Sequence, residues 1–306
     1  MIDQTEMLQC GDVPVVDTFA EAFSVRAARL IVTAASAAWA NTAATEFCGF
    51  ATSVIACDLE TAVERVLAAE ETPDGRPGVS LLAFAFDRKS LGEALTRRVG
   101  QCILTCPTTA CYDGLPDVDR DDRVPVGAQL RFFGDGFQFA KKIGRQRLWR
   151  IPTMDGEFTC EDKFGTVKGV AGGNLILCGE TQSQTLQAAE AAVAAIRQLP
   201  NVILPFPGGI VRSGSKVGSR YKQVKASTND AYCPTLRGIT ESALPAGANA
   251  VYELVIDGLT ESDVHAAMKA GLQAAVTLPG LLQVTAGNYG GKLGKHHLHL
   301  REMIAN

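Results

Sequence analysis

The feature that most constrains the fold is an order of strands and helices that occurs twice in the 306 residues. In the first half, apolar strand-like runs alternate with two helical patterns: strand 29–36, helix 37–47, strands 49–57 and 79–86, helix 89–99 and strand 101–110. The second half repeats this order, with strands at 173–180, 201–206, 251–257 and 281–291 and helices at 185–199 and 261–277. Two β-α-β-β-α-β halves predict an α+β fold of duplicated ferredoxin-like sandwiches, with helices on one face of each sheet.

The residues between the two halves, 113–168, break this order. They contain the short strand-like runs QLRFFG, RLWRIP and GEFTCEDKFG, which predict an inserted β-rich segment. Residues 1–14 are polar and irregular and predict a loose N-terminal arm. The predicted organisation is therefore this arm, an N-terminal lobe over 15–150 that includes part of the insertion, and a C-terminal lobe over 151–306 that carries most of the site.

Composition excludes several classes of protein. A hydrophobic share of 46% with 20% charged residues is typical of a globular chain rather than a disordered one. A net charge of −4 without a basic stripe argues against nucleic acid as a partner. The most apolar run, 27–44, includes Arg29 and Asn41, which predicts a buried helical region and not a membrane span. Nine scattered cysteines without a signal peptide favour the reducing cytoplasm.

The residues from 205 to 253 combine several features of a binding site. The glycine loop, defined as residues 206–219 (FPGGIVRSGSKVGS), suits a polar or anionic ligand because its backbone N–H groups can approach the ligand closely. The run STNDAYCPTL adds hydroxyl, amide and phenol groups. The strand VYELVIDG carries Glu253 among apolar neighbours, where burial should raise the pKa of its carboxyl group. From the pattern alone, an ordinary polar residue on a solvated sheet face explains Glu253 equally well.

Other patterns that resemble metal or nucleotide sites have simpler explanations. The cysteines at 102, 106 and 111 lack the spacing of zinc or iron–sulfur ligands, so core packing is expected for them. The HHLH run at 296–299 is expected to be structural or exposed. The GGKLGK run lacks the leading glycine and the hydroxyl residue of a phosphate loop. The sequence therefore predicts no metal site and no nucleotide site.

Nine motifs give the chain a specific resemblance to one family. In order, they are TFAEAF, TPDGRPG, GQCILTCPTTA, FFGDG, KGVAGGN, FPGGIVRSGSKVGS, STNDAYCPT, VYELVIDG and AGNYGGKLGK. From residue 15 to the C-terminus the chain resembles the formylmethanofuran:tetrahydromethanopterin formyltransferases of methanogens and methylotrophic bacteria. The resemblance implies an acyltransferase of one-carbon metabolism. It would move a formyl group between the amine of a methanofuran-type carrier and N5 of tetrahydromethanopterin, through a tetrahedral intermediate that is not covalently bound to the enzyme.

The resemblance also implies the residues of the site. Glu253 matches the glutamate implicated in catalysis, as a hydrogen-bond donor to the oxyanion or as a proton shuttle. The residues expected to bind substrate are loop, amide and hydroxyl residues: Gly208, Gly209, Ser213, Ser215, Lys216, Asn229, Tyr232, Asn174 and Asn288. No tightly bound cofactor is expected, because tetrahydromethanopterin and the methanofuran-type carrier are both substrates.

The expected partners are further copies of the chain. The resemblance implies a homo-oligomer and favours a tetramer, and in bacteria it allows other subunits of a formyltransferase/hydrolase complex. Aromatic residues are concentrated in the inserted segment, at Phe132, Phe133, Phe137, Phe139 and Trp149. Because aromatic residues are enriched at protein interfaces, the insertion is expected to contribute to the subunit contact.

Two other functions stay open at this point. The first is a non-catalytic subunit that binds the furan carrier and holds a larger complex together. The second is a pterin-binding protein with different chemistry. The presence of Glu253 together with an intact glycine loop favours the transferase, because a degenerate paralogue should have lost one of them.

Overall fold

The structure is a computed structural model that describes residues 6–144 and 146–304. Its helices are α1 (Ala37–Cys48), α2 (Arg88–Arg98), α3 (Val126–Leu130), α4 (Gln182–Ile196), α5 (Glu261–Ala275) and α6 (Leu300–Ile304). Its strands are β1 (Met7–Cys10), β2 (Val13–Val16), β3 (Phe19–Thr33), β4 (Glu60–Leu67), β5 (Gly78–Ala85), β6 (Ala110–Asp113), β7 (Arg123–Val124), β8 (Phe139–Ile143), β9 (Gln146–Thr153), β10 (Gly156–Glu161), β11 (Phe164–Gly165), β12 (Val167–Gly179), β13 (Val202–Ile203), β14 (Lys216–Val217), β15 (Ala226–Ser227), β16 (Ala250–Gly258), β17 (Leu281–Thr285) and β18 (His296–His299). In the described part of the chain, no helix is long and apolar enough to cross a membrane.

The chain forms two compact units. The first consists of residues up to Phe23 together with those from Val170 onward, and the second is Ser24–Gly169. This division differs from the predicted boundary between residues 150 and 151. The difference arises because β10 pairs with β6 and β9, and β11 pairs with β7, so these strands belong to the second unit.

A β-hairpin takes the place of most of the predicted loose arm. Strands β1 and β2 pair antiparallel, and β2 pairs parallel with β17 through Val15 and Val284. Val13 and Val15 are buried, so the alternation in VPVV attaches this segment to the core of the first unit. The remaining predicted arm residues, 1–5, lie outside the described residues.

The first unit contains a β-α-β-β-α-β arrangement built from β12, α4, β13, β16, α5 and β17. Strand β12 lies between β16 and β17, β13 pairs with β16, and all of these pairs are antiparallel. Leu175 and Leu177 on β12, with Leu254 and Ile256 on β16, are buried in one core with the apolar residues of α4 and α5. The helices therefore cover one face of this sheet and leave the other face to the loops that follow β13.

The second unit repeats the arrangement with β3, α1, β4, β5, α2 and β6. Strand β3 lies between β5 and β6, β4 pairs with β5, and again all pairs are antiparallel. Leu30, Leu81 and Phe47 are fully buried in its core. The predicted α+β fold with two ferredoxin-like halves is confirmed.

The inserted segment extends the sheet of the second unit. Strand β10 pairs parallel with β6, and β9 and β8 follow in antiparallel order. The predicted strands RLWRIP and GEFTCE are present within β9 and β10, which confirms a β-rich insertion. The run QLRFFG, in contrast, is helical: it spans the end of α3 and a 3₁₀ turn over Arg131–Gly134.

Two strands predicted in the first half are wrong. Residues 49–57 form turns, and β4 begins only at Glu60. Residues 101–110 continue from α2 as a π-helical turn over Val99–Ile103, and β6 begins at Ala110. In that turn Val99 and Ile103 are buried in the core of the second unit, and Cys102 packs against it. A short apolar run fits a strand and a buried helical turn equally well, so only tertiary packing distinguishes them.

Candidate active site

Glu253 lies on the sheet face of the first unit that the helices leave uncovered. Its neighbours Tyr252 and Leu254 are buried in the core with the helices, and side chains alternate along a strand, so the side chain of Glu253 is on the opposite face. Ile176 is its cross-strand partner on β12. The glycine loop is attached at this point, because Val211 N–H donates to Glu253 O at 2.7 Å and Glu253 N–H donates to Val211 O at 3.1 Å.

A cavity of about 520 Å³ opens above this face. It is lined by part of the sheet, by the glycine loop and by the polar run that follows the loop. Four residues that were predicted from sequence lie together in its wall: Glu253, Ser213, Asn229 and Tyr232. Arg212 also lines the cavity and supplies a cation.

The Glu253 carboxyl group is poised to exchange a proton near neutral pH. It is half-buried, and among the described residues it has no hydrogen-bond partner. Burial raises its pKa to about 7, because removal from water disfavours the charged form. A general acid–base group works best with a pKa close to the working pH. The wall of the cavity thus holds a group suited to move a proton in either direction.

Tyr232 forms a rigid part of the same wall. It packs against the apolar patch of Ile176 and Cys178, and its hydroxyl group is hydrogen-bonded to the side chain of Thr285. Burial raises the pKa of this phenol, and the neighbouring Cys178 adds to the effect. Tyr232 is therefore a neutral phenol at physiological pH.

The other predicted residues of the glycine loop lie outside the cavity lining. Gly208 and Gly209 have φ values of 67° and 87°, which favour glycine, and Gly209 packs against Val193 of α4. The Lys216 Nζ atom pairs with Asp230 Oδ1 at 2.6 Å. These glycines and this ion pair shape the loop that carries the lining residues Arg212 and Ser213.

The two predicted asparagines both hold a second loop, residues 287–294. Asn174 Oδ1 accepts from Gly287 N–H at 2.6 Å, and its Nδ2 donates to Gly287 O at 3.1 Å. Asn288 Nδ2 donates to Thr18 Oγ1 at 3.0 Å and to Phe19 O at 3.2 Å. Neither asparagine is among the residues that line the cavity.

Family comparison connects this geometry to known proteins. The chain matches the family described as formylmethanofuran-tetrahydromethanopterin formyltransferase over residues 8–153, and "FTR, proximal lobe" over residues 156–303. The chain belongs to the formylmethanofuran–tetrahydromethanopterin formyltransferase family. The family matches meet between residues 153 and 156, close to the predicted lobe boundary, whereas the compact units divide after residue 169.

Relatives of the formyltransferase family match almost the whole chain. A formylmethanofuran–tetrahydromethanopterin formyltransferase of Methylococcus capsulatus is 54% identical, over 94% of this chain and 97% of the relative. A structure of the formyltransferase/hydrolase complex of Methylorubrum extorquens with methylofuran contains a chain with a TM-score of 0.94 and 51% identity, covering 98% of this chain and 100% of that chain. The formyltransferase of Methanosarcina barkeri has a TM-score of 0.91 and 47% identity, covering 97% and 100% respectively.

One acidic residue of this formyltransferase family member was missed by sequence reasoning. The carboxylate of Glu21 is 1% exposed and accepts hydrogen bonds from four backbone N–H groups, at 2.6 to 2.9 Å: those of Tyr289, Gly291, Leu293 and Gly294. Burial alone would raise the pKa of Glu21, but these bonds outweigh it and lower the pKa to about 2. The available signal was a glutamate between apolar residues in the strand run TFAEAF.

Tyr289 is a second residue that was not predicted, and it lies outside the cavity lining. Its ring lies 6.2 Å from that of Phe23, and its side chain is 36% exposed. Burial raises the pKa of its phenol, and the nearby negative charges of Glu253 and Glu21 add to the effect. Tyr289 therefore remains a hydrogen-bond donor near Glu253, although no local sequence pattern distinguishes it from an ordinary loop tyrosine.

The histidine run 296–299 has structural contacts. His297 and His299 pack against the ring of Phe19, with centroid separations of 4.7 and 5.3 Å, and His296 Nδ1 lies 2.6 Å from Glu261 Oε2. Within residues 6–144 and 146–304, no group of three or more His, Cys, Asp or Glu side chains could hold a metal ion. The lining of the cavity carries carboxyl, phenol, hydroxyl, thiol, amide and guanidinium groups.

Proposed function

We propose that this chain is a formyltransferase that moves a formyl group between the amine of a methanofuran-type carrier and N5 of tetrahydromethanopterin in one-carbon metabolism. The observation that carries the proposal is the Glu253 carboxyl group in the cavity wall, whose pKa burial raises to about 7. Relatives of 47–54% identity over nearly the whole chain are named for this reaction. A degraded scaffold would have no need to keep a buried, proton-exchanging carboxyl group at this position.

Glu253 would supply the proton transfers of the reaction. When N5 attacks the formyl carbon, a C–N bond forms and the carbonyl oxygen becomes negatively charged. The Glu253 carboxylate takes the proton that N5 loses and returns it to the carrier nitrogen as the old C–N bond breaks. The enzyme forms no covalent bond, and the protonated phenol of Tyr289 is a nearby donor for the oxyanion.

We assign substrate contacts to the predicted residues that line the cavity, Ser213, Asn229 and Tyr232. Arg212 would bind an anionic part of one substrate there. The other predicted residues would act by shaping the two loops, through tight turns, backbone hydrogen bonds and one ion pair: Gly208, Gly209, Ser215, Lys216, Asn174 and Asn288.

The functional form would be a homotetramer in the cytoplasm. Phe132, Phe133 and Phe137 in the insertion are exposed by 68%, 68% and 78%, which supports a subunit contact through these rings. All nine cysteines are unpaired, as expected in a reducing compartment. Other subunits of a formyltransferase/hydrolase complex are further partners, since such a complex contains a chain similar to this one.

The test is a transfer assay with the purified chain alone. Formylated carrier and tetrahydromethanopterin are mixed with the enzyme, and formation of the formylpterin is followed by absorbance. Turnover without any added subunit is expected. A folded chain that binds the carrier but produces no formylpterin would instead indicate the non-catalytic subunit.

A further inference from the structure

Residues 287–294 form a loop whose backbone encloses a buried charge. Successive backbone N–H groups that converge on one point usually form a concave site for an external anion. Here the chain itself supplies the anion, because the two oxygens of Glu21 accept from Tyr289, Gly291, Leu293 and Gly294. Each oxygen receives two of these bonds. The loop conformation and the Glu21 carboxylate therefore require each other.

Burying an ionised carboxylate in this loop is energetically unfavourable unless the loop has a defined structure around it. A buried carboxylate is costly unless all its lone pairs are satisfied, and four hydrogen bonds are needed to keep Glu21 ionised. The backbone is also closely fitted: a Cβ atom on Gly294 would lie 2.4 Å from Ala22 O. Gly290 and Gly291 have φ values of 70° and 71°, which only glycine adopts readily. These contacts restrict the loop, although its residues Tyr289 and Gly290 are exposed.

The other end of the loop is attached to the sheet face that carries Glu253. Gly287 is hydrogen-bonded in both directions to the side chain of Asn174. A Cβ atom on Gly287 would lie 3.7 Å from Ile176 Cδ1, and Ile176 is the cross-strand partner of Glu253. Tyr289 follows two residues after this contact.

We propose that Glu21 is a positioning residue of the transfer reaction: its carboxylate fixes residues 287–294 so that Tyr289 is held next to the sheet face that carries Glu253. The inference rests on the proposed function and adds a residue to it. Glu21 does not touch the reacting atoms. Its role is to keep the loop and its phenol from moving during the transfer, since a small misplacement of such a group is costly to the rate.

Glu21→Gln tests this inference in the full-length chain. The substitution keeps the size of the side chain but replaces one acceptor oxygen by an NH₂ group that faces two N–H donors. We expect hydrogen exchange at the amides of Tyr289, Gly291, Leu293 and Gly294 to become about tenfold faster or more. We expect kcat to fall by about 10- to 100-fold, with a smaller change in either KM.

Glu161→Gln is the matched control. Glu161 is also buried and lies in the other compact unit. It accepts one backbone N–H from Asp113 at 3.0 Å, and its other oxygen lies 3.7 Å from Arg123 Nη2. Glutamine keeps that acceptor, so the exchange of residues 287–294 and kcat should both stay within about twofold of the wild type.

The exchange rates and kcat of Glu21→Gln together test whether the carboxylate holds the loop and whether the loop contributes to the reaction. Faster exchange with an unchanged kcat would show that the loop has no part in the reaction, and unchanged exchange would show that the carboxylate does not hold it. Either overturns the inference. If Glu21→Gln does not fold, Glu21→Asp tests the same point, because the shorter side chain keeps the charge but draws the carboxylate away from the four N–H groups. An unchanged kcat despite faster exchange in that variant would again overturn the inference. A wild-type chain without transfer activity would instead overturn the proposed function, and the positioning role with it.

Discussion

Replacing Glu253 by glutamine should stabilise the folded chain at alkaline pH while it removes most of the transfer activity. Burial raises the pKa of Glu253 from 4.5 to about 7. Since each tenfold change in acid dissociation corresponds to about 1.4 kcal/mol, this difference amounts to about 3 kcal/mol at most. The pKa of Glu253 in the folded chain lies above its pKa in the unfolded chain. The free energy of unfolding is therefore highest at low pH, where the carboxyl group is neutral in both states, and it falls as the pH rises to about 7.

Glutamine does not ionise, so the variant does not lose stability in this way as the pH rises. The free energy of unfolding of Glu253→Gln, relative to the wild type, should therefore increase by up to about 3 kcal/mol between about pH 4 and about pH 8. Urea unfolding of both proteins at these two pH values measures it. The wild type itself serves as the reference at each pH, which cancels the contributions of all other titrating groups.

The activity should change in the opposite direction. Loss of a positioned acid–base group costs about 10²- to 10⁴-fold in rate, so kcat should fall by about 100-fold or more, with the KM for the carrier within a few fold. In the wild type the carboxylate must accept the proton, so kcat/KM should fall about tenfold per pH unit below about 7. This titration should be missing in the variant, as measured with the absorbance assay.

Two results would refute this reasoning. An unchanged kcat would mean that Glu253 is only a polar residue of the sheet. A stability difference that is the same at both pH values would mean that water reaches the carboxyl group freely in the folded chain, and that burial does not set its pKa.

The remaining predictions concern the cavity, the packing and the assembly. Arg212→Ala should raise the KM of one substrate by about tenfold, with a smaller effect at high salt, because the guanidinium group lines the cavity. An unchanged KM for both substrates would contradict the assignment. Gly173→Ala should lower the free energy of unfolding by about 1–3 kcal/mol, because the new Cβ atom would lie 2.3 Å from Val264 Cγ1. An unchanged melting temperature would show that α5 can shift to make room for it. Light scattering at micromolar concentration should give the mass of a tetramer, and a fully active monomer would exclude a role of assembly in the site.

The architecture could be predicted from the sequence because it follows from local patterns. The alternation and spacing of apolar residues indicated β16, α4 and α5, and the order of elements indicated two similar halves. The position of Glu253 within VYELVIDG indicated a carboxyl group with apolar neighbours and a raised pKa, although a solvated sheet position explained the pattern equally well. In the folded chain, burial raises that pKa. These features depend on residues that are close together in the chain.

Tertiary structure alone decided the arrangement around that carboxyl group. Glu21 and Tyr289 are separated by 268 positions and are joined through a backbone N–H, which every residue except proline possesses. Such a bond does not depend on which amino acid supplies the donor, so no sequence motif could indicate it. The same reason explains the turn at Val99–Ile103, where the local pattern fitted a strand and the packing of the second unit imposed a helical turn. Local periodicity predicts most of the elements, whereas contacts between distant segments decide the ambiguous ones and determine which side chains meet at the site.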